Sequence, residues 1–306
     1  MKISRALIKY SAYQLAWTKI CELALTKILS KRPNLFLRTK DMHAIPILTK
    51  GVHEAHLKEL YCRLSSQSYR DFFIDIGANI GLSSILVASE FDSLFLFEPN
   101  PLVYKILEVN VSLSAHNNRF TLLNFGLGSE DNTLELVIPK HNWGGGFIVS
   151  SDNSLDNSLL AKKDGFNETD FTSNNYFKTE VRIKKTQEEL KSIFSVIKKR
   201  KGRNGIIKID TEGYEATILK GISSVIPEDF SSVIVFENHN PDLDLEDLLE
   251  CFNGRAKAFT IKGKSWGKWP KFIKALFLLF GKKIEHYIEP VDVNSDLLGN
   301  LVFEIS

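Results

Sequence analysis

The stretch Phe72-Phe73-Ile74-Asp75-Ile76-Gly77-Ala78-Asn79-Ile80-Gly81 is the one around which the chain is organised. Its first half is an apolar run, typical of a strand that is buried on both faces of a parallel sheet. Gly77 allows positive φ or a close approach to a ligand, and Gly81 allows the following helix to pack near the strand. The pattern predicts a strand, a tight turn and a helix that hold a nucleotide-like group. A turn with two glycines and no ligand is the alternative.

Apolar runs that end in an acid recur along the chain. Glu98 follows the run from Ser93 and lies 23 residues after Asp75, about where an acid would hold a ribose diol. Asp210 and Glu212 follow a third run, and a fourth run ends in Glu237, Asn238 and His239. Because the carboxyl ends of parallel strands meet at one edge of a sheet, these residues are expected to form one site.

Strands alternate with helices over most of the chain, which predicts an α/β fold with a doubly wound, mostly parallel sheet. We expect residues 1–50 to be an N-terminal helical extension and residues 51–306 to form the single main domain. A long polar loop over residues 141–177 is a candidate lid that faces the substrate.

The composition is that of a soluble globular protein, with 43% hydrophobic and 25% charged residues. The net charge of +2 hides two basic segments. Residues 1–32 carry seven basic residues against Glu22 alone, and residues 262–283 carry seven lysines and no acid. Both segments are expected to contact an anionic surface, such as a membrane. Nucleic acid is disfavoured, because residues 262–283 contain no arginine and no recognition motif accompanies them.

Each basic segment has two interpretations. Apolar residues at helical spacing from Ile3 to Ile28 predict either a helix docked on the domain or one that contacts a membrane. Residues 262–283 mix lysines with Trp266, Trp269 and other large apolar residues, which is typical of a helix in the membrane interface but also of a core helix with solvated lysines.

The compartment follows from what the sequence lacks. No apolar run approaches the ~20 residues that span a bilayer, and no signal peptide is evident. Three widely spaced cysteines (Cys21, Cys62 and Cys251) fit neither a disulfide framework nor a zinc site. We therefore expect a cytoplasmic protein, with peripheral association at the inner membrane face as an option; the oligomeric state is left open.

Several motifs together resemble the FkbM family of S-adenosylmethionine-dependent methyltransferases. They are Phe73 to Gly81, Phe97-Glu98-Pro99-Asn100-Pro101, Asn110-Val111, Leu127-Gly128 and Ile207 to Gly221. The resemblance covers roughly residues 51–305, without the polar loop and the lysine-rich segment. It implies a Rossmann-like class I methyltransferase fold with a seven-stranded sheet. The sequence departs from the family at Gly126, where Ala is more usual, and in the length of the loop.

The resemblance also implies roles for individual residues. The turn from Asp75 to Gly81 would contact the amino acid moiety of S-adenosylmethionine, and Glu98 would hold its ribose hydroxyls. Asp210 and Glu212 would lie where the methyl group meets the acceptor. The expected cofactor-binding residues are Asp75, Gly77, Ala78, Asn79, Gly81, Glu98, Pro99, Asn100, Gly126 and Asp210.

The expected reaction is methyl transfer to a hydroxyl, on a glycan or a lipid-linked glycan. His239 is the leading candidate for the base that removes the hydroxyl proton, with Asp210 next and Glu212 nearby, although His239 could also be structural. Binding of a divalent metal by Asp210 and Glu212 is the less favoured hypothesis, because the sequence shows no third fixed ligand. The rival functions are an NAD(P)-dependent Rossmann oxidoreductase and a non-catalytic binding module at a membrane.

Overall fold

The computed structural model describes residues 12–30, 32–38, 44–150, 153, 175–263, 285–291 and 297–306. Its helices are α1 (Ala12–Leu29), α2 (Ala44–Lys50), α3 (Ala55–Ser66), α4 (Leu82–Ile85), α5 (Pro101–Leu113), α6 (Thr186–Lys199), α7 (Glu215–Ser223) and α8 (Leu245–Glu250). Its strands are β1 (Phe72–Ile76), β2 (Leu94–Phe97), β3 (Phe120–Leu123), β4 (Gly126–Gly128), β5 (Asn132–Pro139), β6 (Phe147–Ile148), β7 (Tyr176–Lys185), β8 (Asn204–Ile209), β9 (Ser231–Asn238), β10 (Ala256–Gly263), β11 (His286–Pro290) and β12 (Gly299–Ile305).

The main sheet has the strand order β11-β10-β12-β9-β8-β1-β2-β3. Its strands β3, β2, β1, β8 and β9 are parallel, whereas β12, β10 and β11 add antiparallel pairs at one edge. The expected α/β architecture is confirmed. The expected count of seven strands is wrong, because β11 pairs with β10 as an eighth strand. Strand β11 is hard to predict from the sequence because it lies at the edge of the sheet. Two of its apolar residues, Tyr287 and Ile288, are about half exposed and not buried.

Helices cover both faces of the main sheet, so the sheet is doubly wound. Alternate residues of β1 point to opposite sides. Phe72 and Ile74 pack in a core with Leu190 of α6 and Ile218 of α7. Phe73 belongs to a second core with residues of α3 and α5, Leu57, Tyr61 and Leu107 among them. All five residues of β1 are buried, as expected for the central strand of such a sheet.

A second sheet, with the order β4-β7-β5-β6, follows β3. Strand β5 pairs with β7 over their whole common length, from Asn132 opposite Ile183 to Pro139 opposite Tyr176. The expected loop over residues 141–177 is therefore partly regular, since it contains β6 and the start of β7. Residues 151–152 and 154–174 of that loop lie outside the described residues.

Thr186, at the start of α6, contacts both strand β4 of the second sheet and Gly221 of helix α7. Thr186 is the first residue of α6 and its hydroxyl donates to the Gly128 carbonyl oxygen at 2.9 Å. Helix α7 runs past Gly221, where a Cβ atom would lie 2.6 Å from Thr186. The glycine therefore provides close helix packing.

The N-terminal extension has two parts that differ in burial. On α1 the large apolar side chains of Ile20, Leu23 and Leu25 are more than half exposed. In α2, by contrast, Ala44 and Ile47 are buried. None of the helices in the described part of the chain has the length and apolarity needed to cross a membrane. The apolar positions before α1 and residues 264–283 of the lysine-rich segment lie outside the described residues.

Candidate active site

A cavity of about 320 Å³ opens at the carboxyl ends of β1, β2 and β8. This size is within the range of small-molecule sites. The described residues that line it are His53, Glu54, Ile76, Gly77, Asn79, Phe97, Glu98, Pro99, Asn100, Gly126, Leu127, Leu136, Asn142, Trp143, Gly144, Gly145, Gly146, Phe147, Ile148, Ile183, Asp210, Thr211, Glu212, Tyr214 and Glu237. Five of them are acids, and none is a lysine or an arginine.

Gly77 brings two strand ends together below the cavity. Its φ is +84°, and a Cβ atom there would lie 1.9 Å from the carbonyl oxygen of Asp210. The amide of Asp210 donates to the Ile76 carbonyl oxygen at 2.9 Å, and the amide of Gly77 donates to that of Phe97 at 3.0 Å. A side chain at residue 77 would push apart the backbone that forms the floor of the site.

Glu98 is held by backbone groups in the wall of the cavity. One carboxylate oxygen accepts from the amide of Asn79 at 2.9 Å, and the other accepts from the amide of Asn100 at 2.8 Å. Burial raises the pKa of Glu98 to about 7, although these two hydrogen bonds favour the ionised form. Asn79 has a φ of 53°, a left-handed conformation that Asn tolerates better than most residues.

Asp75 lies beneath the site rather than in its wall. Its side chain is fully buried, and one carboxylate oxygen is 3.2 Å from the Lys208 ammonium, while the other accepts from the Ser84 hydroxyl. Lys208 is also 3.2 Å from the Asp210 carboxylate. Burial alone lowers the pKa of Lys208, but Asp210 and Asp75 outweigh it and keep this pKa well above its usual value. Asp75 thus fixes the lysine that orients Asp210.

The turn after β8 is closed by the buried carboxylate of Glu215. One of its oxygens accepts from the amide and the hydroxyl of Thr211, at 2.8 and 3.0 Å. The other accepts from the amide of Gly213 at 3.0 Å. Burial raises the pKa of Glu215 against these hydrogen bonds. Glu212 lies between Thr211 and Gly213 and has a φ of 55°. The turn therefore presents Glu212 to the cavity in a constrained backbone conformation.

Most of the residues expected from the sequence meet at this cavity. The lining includes Gly77, Asn79, Glu98, Pro99, Asn100, Gly126, Asp210 and Glu212. It does not include Asp75, Ala78, Gly81 or His239. Ala78 packs in the core, and Gly81 precedes α4 against Ile85 and Leu107. His239 contacts the lining residue Glu237, with 3.3 Å between the imidazole Nε2 and a carboxylate oxygen.

Other lining residues carried no signal in the sequence. His53 and Glu54 precede α3, far from any strand end, and 3.6 Å separates the His53 Nδ1 from the Glu54 carboxylate. Glu54 has a φ of 45°. Its pKa is lowered: burial acts in the opposite direction, but His53 and Lys208 outweigh it. The tryptophan-glycine run Trp143 to Gly146 lies in the loop predicted over residues 141–177, and only the tertiary structure places it over the turn at Asn79.

Comparison with known proteins identifies the family. The model of the methyltransferase FkbM domain matches residues 75–261, which is more than half of the chain. The chain belongs to the FkbM methyltransferase family. It is also 28% identical over 185 residues to the methyltransferase sdnD of Sordaria araneosa, an alignment that covers 58% of this chain and 71% of that protein. Membership of this family decides against the oxidoreductase and the non-catalytic binding module.

Solved methyltransferase structures are similar only at a distance. An O-methyltransferase from Bacillus cereus in complex with SAH is 11% identical, with a TM-score of 0.39 and coverage of 98% of this chain and 93% of that one. The human methyltransferase 10 domain containing protein is 8% identical, with a TM-score of 0.42 and coverage of 94% and 97%. Neither likeness is close enough to bear on substrate or mechanism.

The cofactor of this FkbM methyltransferase is S-adenosylmethionine. The residues of the cavity fit it. Its sulfonium and ammonium groups are cationic, and the described lining residues include five acids and neither lysine nor arginine. Each oxygen of the Glu98 carboxylate can accept a further hydrogen bond, for example from a hydroxyl group. Apolar side chains, among them Phe97, Leu127 and Ile183, supply surface for an aromatic ring. Among the residues that the structure describes, no cluster of three or more His, Cys, Asp or Glu could hold a metal ion.

Proposed function

We propose that this FkbM methyltransferase methylates a hydroxyl group of a glycan or a lipid-linked glycan at the cytoplasmic face of a membrane. The observation that carries the proposal is the composition of the cavity between β8, β9 and the start of α3. Glu54, Asp210, Glu212 and Glu237 line it there together with His53. Carboxylates and imidazole accept hydrogen bonds from sugar hydroxyls, and the negative charge would repel a phosphorylated or carboxylated acceptor.

When bound, the cofactor would supply a methyl group on a sulfonium sulfur: the acceptor oxygen would attack the methyl carbon as the carbon–sulfur bond breaks, and the sulfur would leave as a neutral thioether. The protein contributes by aligning the acceptor, and orientation of this kind can be worth ~7 to 11 kcal/mol. Asp210 suits this role, because Lys208 and the crossing backbone of Gly77 fix its position. Glu212 lines the same end of the cavity.

The hydroxyl proton needs an acceptor within hydrogen-bond reach. We assign this role to His239, acting through its contact to the lining residue Glu237, with Asp210 as the second candidate. His53 is a further candidate, since it is the one histidine among the described lining residues. The substitutions His239→Gln, His53→Gln, Glu237→Gln and Asp210→Asn, each followed by single-turnover kinetics at saturating cofactor, separate these candidates: the residue that accepts the proton is the one whose loss slows methyl transfer by about 100-fold or more.

The acceptor is tested by mass spectrometry of glycans and lipids from cells with and without the gene. A glycan from the cells that lack the gene should be lighter by one methylene unit for each methylation site. Purified enzyme with S-adenosylmethionine should then restore the mass of the glycan from the deficient cells. A restored methyl group on nitrogen, or on a molecule without sugar, would contradict the proposal.

Association with anionic membrane is the second part of the proposal. Residues 1–32 and 262–283 are strongly basic, and α1 exposes Ile20, Leu23 and Leu25 to solvent. Each lysine near an anionic surface adds ~1 kcal/mol of attraction, and apolar side chains can then enter the interface.

Vesicle sedimentation tests this part with a matched control. The parent protein should sediment with vesicles that contain phosphatidylserine and not with neutral phosphatidylcholine vesicles. The double substitution Ile20→Asp and Leu23→Asp should weaken binding to the anionic vesicles. Val109→Asp, at a similarly exposed position on α5, should leave it unchanged. Equal binding of all three proteins would remove α1 from the proposed membrane contact.

A further inference from the structure

The segment of residues 32–38 is built into the cofactor site, although it lies outside the stretch that matches the family. Asn110, a fully buried residue of α5, binds this segment through its side chain. Its amide oxygen accepts from the Phe36 amide at 2.5 Å, and its amide nitrogen donates to the Phe36 carbonyl oxygen at 3.2 Å. The same nitrogen donates to the carbonyl oxygen of Ile80 at 2.9 Å. One side chain thus ties the segment to the turn at residues 77–81.

Arg38, at the end of this segment, holds the loop that covers the turn. Its guanidinium carbon lies 4.3 Å from the centre of the Trp143 ring. Its two terminal nitrogens donate to the carbonyl oxygens of Lys140 and His141, at 3.2 and 3.1 Å. A planar guanidinium can stack on the ring and bind both carbonyls at once, which an ammonium cannot do.

The loop held by Arg38 is part of the cavity wall. Trp143 and Gly144 line the cavity, and the side chain of Asn100 donates to the Trp143 carbonyl oxygen at 3.1 Å. A Cβ atom on Gly144 would lie 2.0 Å from the side-chain amide of Asn79. The loop therefore rests directly on Asn79 and Asn100, whose amides hold the carboxylate of Glu98.

We propose that Arg38 is a positioning residue for S-adenosylmethionine. Arg38 acts by fixing the Trp143 loop over the turn at residues 77–81 and over the Glu98 carboxylate, which bind the cofactor. The N-terminal segment from residue 32 onward is then a working part of the site and not an appendage. The proposal concerns cofactor binding alone, and its test needs no acceptor, so its failure is distinct from a failure of the proposed glycan acceptor.

Isothermal titration with S-adenosylmethionine tests the proposal. Arg38→Ala should raise the Kd about tenfold, because one cation–π contact and two hydrogen bonds no longer order the loop. Arg38→Lys should recover part of the loss. The matched control is Arg119→Ala, because Arg119 likewise donates to backbone carbonyls, those of Ala88, Ser89 and Phe91, none of which lines the cavity.

A double-mutant cycle separates positioning from general destabilisation. If Arg38 acts through the loop, the variant with both Arg38→Ala and Trp143→Ala should raise the Kd by less than the product of the two single effects, because the contact between the two side chains is lost only once. An unchanged Kd in Arg38→Ala, an equal rise in Arg119→Ala, or effects of Arg38→Ala and Trp143→Ala that simply multiply would each overturn the proposal. Circular dichroism of every variant establishes that the protein titrated is folded.

Discussion

At the scale of single residues, the site depends on groups that are unfavourable for folding. Glu98 is an acid in a buried wall, and Asn79 and Glu212 have left-handed backbone conformations. Conformations and charges of this kind cost free energy and concentrate at functional sites. The cost at Glu98 is visible in its pKa of about 7, because the folded protein resists ionisation of this carboxyl.

This cost should appear in the pH dependence of stability. The folded pKa of Glu98 is about 7 and its ordinary value is 4.5, so the unfolded chain ionises first as the pH rises. The parent should therefore lose about 2 to 3 kcal/mol of unfolding free energy relative to Glu98→Gln between pH 5 and pH 8. Urea unfolding of both proteins at the two pH values measures the difference, and a difference that stays constant would contradict the raised pKa.

Gly77 allows a second prediction with a matched control. Gly77→Ala should lower the unfolding free energy by about 3 kcal/mol or more, because it adds both a left-handed alanine and a clash with the Asp210 carbonyl. Gly254 has a similar φ of +77° but nothing within 4 Å of its Cβ position. Gly254→Ala should therefore cost only about 1 to 2 kcal/mol. Chemical denaturation measures both, and equal losses would show that the backbone crossing at Gly77 does not matter.

At the scale of elements, a buried charge cluster connects β1 with β8. Asp75 and Lys208 are opposite one another in the register of the two strands, and Lys208 reaches on to Asp210. The buried Asp75 carboxylate and Lys208 ammonium are stable only while they remain paired, whereas Asp210 is partly exposed. The pairing fixes Asp210 at the edge of the sheet, where it enters the cavity.

Removal of the Lys208 charge alone should therefore lower the unfolding free energy more than removal of the Lys208 and Asp75 charges together. Lys208→Met should lower the unfolding free energy by about 3 to 5 kcal/mol, because it leaves the fully buried Asp75 carboxylate without its cation. Adding Asp75→Asn to that variant should restore part of the loss. Thermal or urea unfolding of the parent, the single and the double variant gives the comparison. A double variant less stable than Lys208→Met would show that Asp75 and Lys208 are not coupled in this way.

At the scale of the whole molecule, we propose that the chain divides after α1, although the sequence predicts a division after α2. The exposed apolar side chains of α1 contribute little to a core, whereas Ile47 is buried against Ile80 and Val103. Leu35 and Leu37 pack against the same cluster. The boundary predicted at residue 50 remains untested, and this packing supports a proposed boundary near residue 32, where the chain begins to cover the turn at residues 77–81.

Two truncations test this boundary. A chain that begins at residue 32 should keep its stability to within about 1 kcal/mol, since the side chains it loses from residues 18–27, 29 and 30 are mostly exposed. A chain that begins at residue 51 should lose about 3 kcal/mol or more, because it uncovers the cluster around Ile80, and it should also bind the cofactor more weakly. Urea unfolding and cofactor titration of both chains give the two readings. Equal stability would return the boundary to residue 50.

Much of the fold followed from local patterns in the sequence. Buried strands such as β1 and β8 were evident because both faces are apolar, and the carboxyl ends of parallel strands had to converge, which placed Glu98 and Asp210 together. Other features had no local signal. Strand β11 is half exposed, and the second sheet depends on pairing between β5 and β7, which are distant in sequence.

The sequence by itself determined the parallel core, the family and the acids at the strand ends, because these rest on composition and spacing within short segments. Only the tertiary structure decided where each of these side chains lies and what it contacts. It directs Asp75 away from the cavity to neutralise Lys208, and it brings His53, Arg38 and Trp143 to the site from outside the strand ends. The physical reason is that burial, ion pairing and loop packing depend on neighbours far along the chain, and no local pattern encodes those neighbours.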